Sequence, residues 1–289
     1  MIRGLYSAAS GMFSLERKQE TLADNLANVQ TPGYKKDDAV QRAFPKLLLQ
    51  RINDFQNGNV GKVPGQKAQI GELANGVYTQ ERIPNFTQGT LVQTSQPLDV
   101  AIEDSGLPLQ NVNGKLVKSS AFFTVQLANG SIGYTRNGKW DLDANGNLVT
   151  SEGYKILGSN NQPIQITDSF NKEDLSISND GQVTLFGNDP AKTKVVGQIG
   201  VAMAQNPNDL KRIGGNVYQS DTPLQYVQTG VTNPGFSLQQ GFMEQSNVDA
   251  GQTITDMMTT VRGYEANQKV IGVYDTSLQQ LFSVGKING

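Results

Sequence analysis

One stretch of this chain carries the residue types and spacing of a metal site. Asp141, Asp143 and Asn145 stand at alternate positions, Gly146 follows, Leu148 takes the eighth place and Glu152 closes a twelve-residue run. That is the spacing of an EF-hand calcium loop, in which carboxylate and amide oxygens surround a hard cation and the last glutamate binds through both oxygens. An EF-hand also needs a helix on each side. Here the flanks, Tyr134-Thr135-Arg136 and Tyr154-Lys155-Ile156-Leu157, are strand-like. The competing reading is a hairpin turn that uses Asp, Asn and Gly for backbone reasons, and it is preferred. No metal or cofactor is expected.

Little other chemistry assembles. The chain has no cysteine and no histidine. That excludes disulfides, thiolate zinc sites and cysteine nucleophiles, and it removes the commonest general base. A hydrolase built on paired carboxylates has no pair singled out by spacing. Neither G-x-x-x-x-G-K-[ST] nor G-x-G-x-x-G occurs, so no phosphate loop is expected. Net charge is −2, with 17% charged residues, which leaves no basic footprint for nucleic acid. Phe122, Phe123, Tyr134 and Trp140 therefore read as core rather than as a stacking platform. No run approaches the ~20 apolar residues of a membrane span. The N-terminus lacks the basic and apolar regions of a conventional secretory signal, which alone points to the cytosol.

The elements that would hold such residues are of two kinds. Near the start, Leu5, Ala8, Met12, Leu15, Leu22, Leu26 and Val29 follow a 3-4 alternation, with polar Gln19 at the remaining position. Near the end the rhythm returns at Ile254, Met257, Val261, Tyr264, Ile271, Leu278 and Phe282, with Gln268 and Asp275 as exceptions. This is a coiled-coil seam, narrower than the stripe of an ordinary surface helix. At 1.5 Å per residue the two segments span roughly 37 and 43 Å and could run side by side. Thr31-Pro32-Gly33 ends the first helix, and Ser246-Asn247-Val248-Asp249 offers caps for the second.

Between them the chain is β-rich. Residues 43–49 form a short apolar patch, read as a helical turn or docking segment, and Gln56 to Ala68 reads as a flexible loop. Strands are expected near residues 77–79, 90–94, 98–102, 122–127, 148–150, 154–157, 175–178, 182–186 and 195–204. Asn-Gly recurs at Asn129, Asn137 and Asn145, eight residues apart, and reads as a meander of hairpins. The expected division is a helical region of 1–35 with 246–289, a linker region of 36–97 with 220–245, and a β-rich region of 98–219.

The segment Asn25-Leu26-Ala27-Asn28-Val29-Gln30-Thr31-Pro32-Gly33-Tyr34-Lys35 resembles the N-terminal signature of bacterial flagellar basal-body rod and hook proteins. Arg3-Gly4-Leu5-Tyr6 and Ala9-Ser10-Gly11-Met12 resemble it as well. A central block (Phe122-Phe123-x-Val125, Tyr134 to Gly138, Gly146 to Thr150, Gly153-Tyr154) and a C-terminal block (Gln240-Gly241, Glu244, Ser246 to Asp249, Arg262, Tyr264 to Asn267, Lys269) extend the likeness over nearly the whole chain. Trp140 stands where the family has Phe, and Gly263 puts a poor helix former inside the last helix. The length resembles that of a distal-rod protein or a rod paralogue more than that of the hook.

The resemblance implies a mainly β fold whose terminal helices pair around a β-rich centre. It implies a structural, non-enzymatic subunit, exported unfolded by the flagellar type III apparatus and polymerised into a helical tube that passes torque from motor to hook. The implied location is the basal body. The implied partners are copies of itself, other rod and hook proteins, the export apparatus and a bushing ring. On this reading the seam residues and Asn28, Val29, Thr31, Pro32, Gly33 and Tyr34 are assembly contacts. Phe44 with Leu48 resembles an export-gate motif, with a local packing patch as the alternative. The rivals are a hook or other axial paralogue, a calcium-binding extracellular β protein and a wall-active carboxylate hydrolase.

Overall fold

The first and last helices form where the seams predict them. In the computed structural model, which describes residues 2–45, 47–52, 67–73, 76–112, 114–166, 174–186, 193–227 and 235–287, α1 spans Ile2–Ala27 and α2 spans Ala250–Ile287. No proline interrupts residues 250–287, so α2 runs on for 38 residues. At 1.5 Å per residue that is about 57 Å, longer than the sequence estimate. Contacts divide the chain into two compact units, residues 1–26, 37–83 and 250–289 in one and residues 27–36 and 84–249 in the other.

In the first unit α1 and α2 run antiparallel. A side chain at Gly4 would meet the Tyr274 hydroxyl, one at Gly11 would lie 3.0 Å from the Asn267 amide, and one at Gly263 would lie 3.1 Å from Leu15. Seven residues forward on α1 match seven back on α2, and then four match four, which is heptad spacing. The covered positions on α2 include Thr253, Met257, Thr260, Val261, Tyr264, Asn267, Ile271, Tyr274 and Leu278. Of the apolar seam positions expected on α2, Met257, Val261, Tyr264, Ile271 and Leu278 are covered, and Thr253, Thr260, Asn267 and Tyr274, each one residue before an expected seam position, are covered too. Ile254 and Phe282 are exposed, whereas Gly4 and Gly11 on α1 admit Tyr274 and Asn267 to close approach.

A second face of α1 is polar and lies on a ribbon of two paired strands, Asp37–Ala43 and Val77–Pro84. The Ser14 and Thr79 hydroxyls lie 3.1 Å apart, and Ser10 Oγ accepts from the Val77 N–H. The Asn25 amide donates to the Asp37 carbonyl and accepts from the Asp37 N–H, both at 2.9 Å. Arg82 reaches Asp24 and Glu20 on the surface. The apolar patch at 43–49 is not a helical turn. One strand ends at Ala43, and Leu47–Ile52 begins another that pairs with Lys67–Leu73. Most of the loop expected at 56–68 lies outside the described residues; Lys67 and Ala68 belong to that second strand.

The second unit is organised by the strand Ser120–Gln126, the centre of a nine-stranded antiparallel sheet. One of its edges pairs with Ile132–Thr135, and the other is shared by Val201–Ala204 and Lys155–Ile156. Both faces are covered, so this strand is an almost continuous apolar run. Ala121, Phe123 and Val125 enter the main core, while Phe122 joins Tyr134, Ala202, Leu210 and Tyr218 in a second cluster. Trp140 packs edge-on against Phe123 with centroids 4.8 Å apart.

Five turns among the described residues share one geometry. They begin at Leu127, Asp143, Thr150, Gly158 and Ser178, and each opening residue accepts from the N–H three positions on and donates to the carbonyl four on. The fourth residue is Gly130, Gly146, Gly153, Asn161 or Gly181, always at positive φ. This is the three-residue hairpin loop closed by a left-handed residue, not the two-residue turn that Asn-Gly suggests. Asn137-Gly138 is no hairpin at all. Ile132–Thr135 pairs with Val217–Gln219, and Trp140–Leu142 pairs with Leu148–Thr150. Gly138 is needed for close approach, because its carbonyl accepts from Val100 N–H at 2.9 Å and a Cβ there would lie 1.6 Å from the Val100 oxygen.

Candidate functional site

A dense polar construction in the second unit is the turn after α1, residues 28–36, and what holds it. Thr31 Oγ1 donates to Asn28 Oδ1, and the Tyr34 N–H donates back to Thr31. Gly33 has φ of +66°, and a Cβ there would sit 2.5 Å from the Arg136 backbone. That position is open only to glycine. The Gly33 N–H donates to the Glu244 carbonyl at 2.8 Å, and Asn216 Nδ2 donates to the Pro32 carbonyl at 2.7 Å. Tyr34 is buried beneath Arg212, whose guanidinium lies 4.6 Å from its ring centre and 5.4 Å from that of Tyr218. Arg212 also donates to the Tyr34 hydroxyl, the Tyr218 hydroxyl and the Lys35 carbonyl. Asn247 ties the outgoing strand by accepting from Lys36 N–H and donating to the Asn85 and Thr87 carbonyls.

Beneath the turn lies a buried ion network. Glu244 accepts from Lys35 Nζ at 2.6 Å and the Gly89 N–H at 2.9 Å through one oxygen, and from Arg136 Nε at 2.8 Å through the other. Arg136 Nη1 continues to Asp104 at 2.9 Å and the Ala121 carbonyl at 2.7 Å. Lys118, itself half-exposed, closes the chain on Asp104. Burial and then repulsion from Arg136 push the Lys35 amine down to about 8, against the pull of Glu244. Burial would raise the Glu244 carboxyl, but the charges of Arg136 and Lys35 outweigh it and hold the group below its ordinary range. Burial opposes the charged form of Arg136 too, and the two carboxylates raise it nonetheless.

These shifts set a pH dependence. Glu244 has a depressed folded pKa, so its contribution is complete above its ordinary value of 4.5 and is lost as pH falls through the folded value. Lys35 is also depressed, so between about 8 and 10.5 the unfolded chain binds more protons and this group's contribution rises with pH. Melting temperatures should therefore fall below pH 4.5 more steeply in wild type than in Glu244→Gln. A shallow rise above pH 8 should vanish in Lys35→Met.

The expected site residues fall into three groups. Gly33 and Tyr34 are buried in the turn, and Asn28, Val29, Thr31 and Pro32 are half-buried around it. Leu5, Met12, Leu15, Leu22 and Leu26 on α1, with Met257, Val261, Tyr264, Ile271 and Leu278 on α2, are half-buried in the first unit. Ile254 and Phe282 are exposed. Phe44 is exposed and packs on Tyr78 at 5.2 Å between centroids, whereas the side chain of Leu48 lies outside the described residues.

The Asp141–Glu152 run is a β-hairpin, not a helix-flanked loop. Asp143 accepts from the Asn145 and Asn147 N–H groups and the Asn147 amide, which lowers its pKa, and Glu152 meets the Asn137 amide. No group of three acidic side chains suited to a metal occurs among the described residues. Sequence reasoning missed Lys35, Asp104, Arg136, Arg212 and Glu244 as one construction. Its trace in the sequence was that Lys35, Arg136 and Glu244 each fall in one of the three motifs of the resemblance.

Three family models match in order along the chain. Residues 5–35 match the flagella basal body rod protein model, 116–185 the flagellar hook protein FlgE/F/G D1 domain, and 239–284 the flagellar basal body rod FlgEFG protein C-terminal model. The chain is 37% identical to a flagellar hook-basal body complex protein FlhO of Bacillus subtilis, covering 99% of this chain and all of that one. It is 35% identical to a flagellar basal-body rod protein FlgG of Agrobacterium fabrum over 95% of this chain and 96% of that one. It is 32% identical to the FlgG of Bacillus subtilis over 98% and 99%.

Proposed function

We infer how this protein works from one premise, that the chain belongs to the flagellar basal-body rod protein family. It is a structural subunit of the rod, it resides in the flagellar basal body, and it assembles with other rod and hook components. The finer reading is ours. The subunit leaves the cell unfolded through the flagellar type III apparatus, polymerises through its terminal helices into a tube that passes torque toward the hook, and meets a bushing ring where the envelope has one. It performs no catalysis. Residues 1–35 with 246–289 are the assembling region, 36–97 with 220–245 the connecting region, and 98–219 the β-rich region.

One observation carries this reading. After α1 and α2 have paired, large apolar side chains remain on their surfaces, among them Tyr6, Phe13, Met258, Val273, Leu281 and Phe282. Phe282 is 74% exposed. Such residues contribute little to the lone chain and have their natural use in covering a neighbour. A contact between unlike faces that does not close on itself extends into a filament.

Phe282→Asp should leave the stability of the monomer within about 0.5 kcal/mol, because a substitution at an exposed site removes no packing. The same change should abolish motility in a complemented deletion strain. Normal swimming in that strain would remove Phe282 from the assembly surface. The reading as a whole is tested by deleting the gene and inspecting basal bodies by electron microscopy. Truncated structures without hook and filament support it. Complete flagella overturn it in favour of a dispensable axial paralogue.

A further inference from the structure

We propose that Asn129-Gly130 is a site of spontaneous covalent modification, at which the asparagine converts to aspartate and isoaspartate through a cyclic imide. The fold sets three Asn-Gly pairs of one β-rich unit in three different environments. Asn129 and Gly130 are exposed at a hairpin tip, and a Cβ at Gly130 would meet nothing within 4 Å. The Asn129 side-chain oxygen accepts from the Ser131 N–H at 3.0 Å and from the Ser131 hydroxyl at 2.7 Å. Tying that oxygen to the residue after Gly130 folds the carboxamide back over the intervening Gly130 nitrogen. Asn145 is exposed too, but Gln165 holds the carbonyl of its peptide link to Gly146, and the Ile166 N–H holds the Gly146 carbonyl. Asn137 is buried, and its amide nitrogen donates to Ser151 and Glu152.

The reaction is a ring closure. The Gly130 nitrogen gives its proton to solvent and bonds to the Asn129 carboxamide carbon, while the C=O electron pair moves onto the oxygen that Ser131 already holds. Donors aimed at developing negative charge favour such a step. The pair then returns, the bond to Nδ2 breaks, and that nitrogen takes one proton from water and leaves as ammonia. Water opens the imide at either carbonyl, giving aspartate or isoaspartate. The Gly130 N–H must first release the Leu127 carbonyl at 2.9 Å, but Gly146 makes the same bond to Asp143, so this demand does not separate the two sites. Exposed turns open at little cost. Isoaspartate adds one main-chain carbon inside the loop that sets the register of Ser120–Gln126 against Ile132–Thr135, so the change reaches the centre of the sheet.

The test holds the folded full chain in mildly alkaline buffer and follows each site by peptide mapping and mass spectrometry, with the same chain in denaturant as reference. In the folded chain Asn129 should convert ahead of Asn145, and Asn137 should stay intact. In denaturant the three rates should converge. Ser131→Ala should slow conversion at Asn129 about fivefold in the folded chain, the equivalent of one lost hydrogen bond, and leave the rate in denaturant unchanged. Ser131→Thr keeps the hydroxyl and should keep the rate. Conversion at Asn145 as fast as at Asn129 in the folded chain, or a folded-state rate at Asn129 untouched by Ser131→Ala, overturns the proposal. None of these outcomes bears on rod assembly.

Discussion

Glu244→Ala is expected to cost the second unit about 3–5 kcal/mol, the effect of removing one partner from a buried ion network. Such a loss is a large fraction of the 5–15 kcal/mol that holds a typical domain together. For a unit of this size it lowers the melting temperature by roughly 6–20 °C. The cause is what stays behind. Lys35 and Arg136 remain buried without the carboxylate that holds them, and the Gly89 N–H loses its acceptor. Glu244→Gln preserves the shape, removes the charge and should fall between. Lys211→Ala breaks an ion pair of similar length in which both partners are more than two-thirds exposed, and it should cost no more than about 1 kcal/mol. Thermal unfolding followed at Trp140 separates the three variants. Equal losses in Glu244→Ala and Lys211→Ala would show that the buried network does not hold the turn.

Gly138→Ala is the second large effect. The added methyl would lie 1.6 Å from the Val100 oxygen and 2.7 Å from its carbonyl carbon, and neither backbone atom can rotate away. Relief requires separating the strand Val100–Glu103 from the crossover that precedes Trp140, which also lengthens the hydrogen bond from Val100 N–H to the Gly138 carbonyl. Overpacking typically costs 1–3 kcal/mol, and about 3 or more is expected where both partners are backbone. Gly130→Ala is the comparison. Its φ is +82° but nothing lies within 4 Å of the new methyl, so only conformational strain is added. Denaturant midpoints should rank wild type above Gly130→Ala and both above Gly138→Ala. A Gly138→Ala midpoint at or above that of Gly130→Ala would mean that the approach is looser than described.

Gly138 also shows what the sequence could and could not reveal. Asn137-Gly138 carries the same dipeptide as Asn129-Gly130 and Asn145-Gly146, and local chemistry cannot tell a turn from a close crossing. What distinguishes them is Val100, a neighbour in space. The helices were legible because their signals are local: periodic side chains, a proline-glycine stop and a capped start. The register of α2 was only half legible. A search for apolar residues finds Met257, Val261, Tyr264, Ile271 and Leu278 but passes over Thr253, Thr260, Asn267 and Tyr274, and the last two approach closely only because Gly11 and Gly4 face them from another helix. The polar face of α1 escaped for the same reason, since Ser14 and Asn25 look like solvent residues until the ribbon is placed on them. The ion network was the least legible part, because Lys35 and Glu244 are 209 positions apart.

That separation orders the events of folding. A three-residue hairpin closes within microseconds, and the turns that begin at Leu127, Asp143, Thr150, Gly158 and Ser178 need no distant partner to form. The entropy of closing a loop grows with its length, so the bond between Lys35 and Glu244 carries one of the larger closure costs in the unit. The hairpins are therefore expected to form early and the ion network late. A chain that emerges end first can build its sheet as residues 120–226 appear, but it cannot lock the turn behind α1 until residue 244 is free. The junction can therefore close only after all but the last helix has arrived.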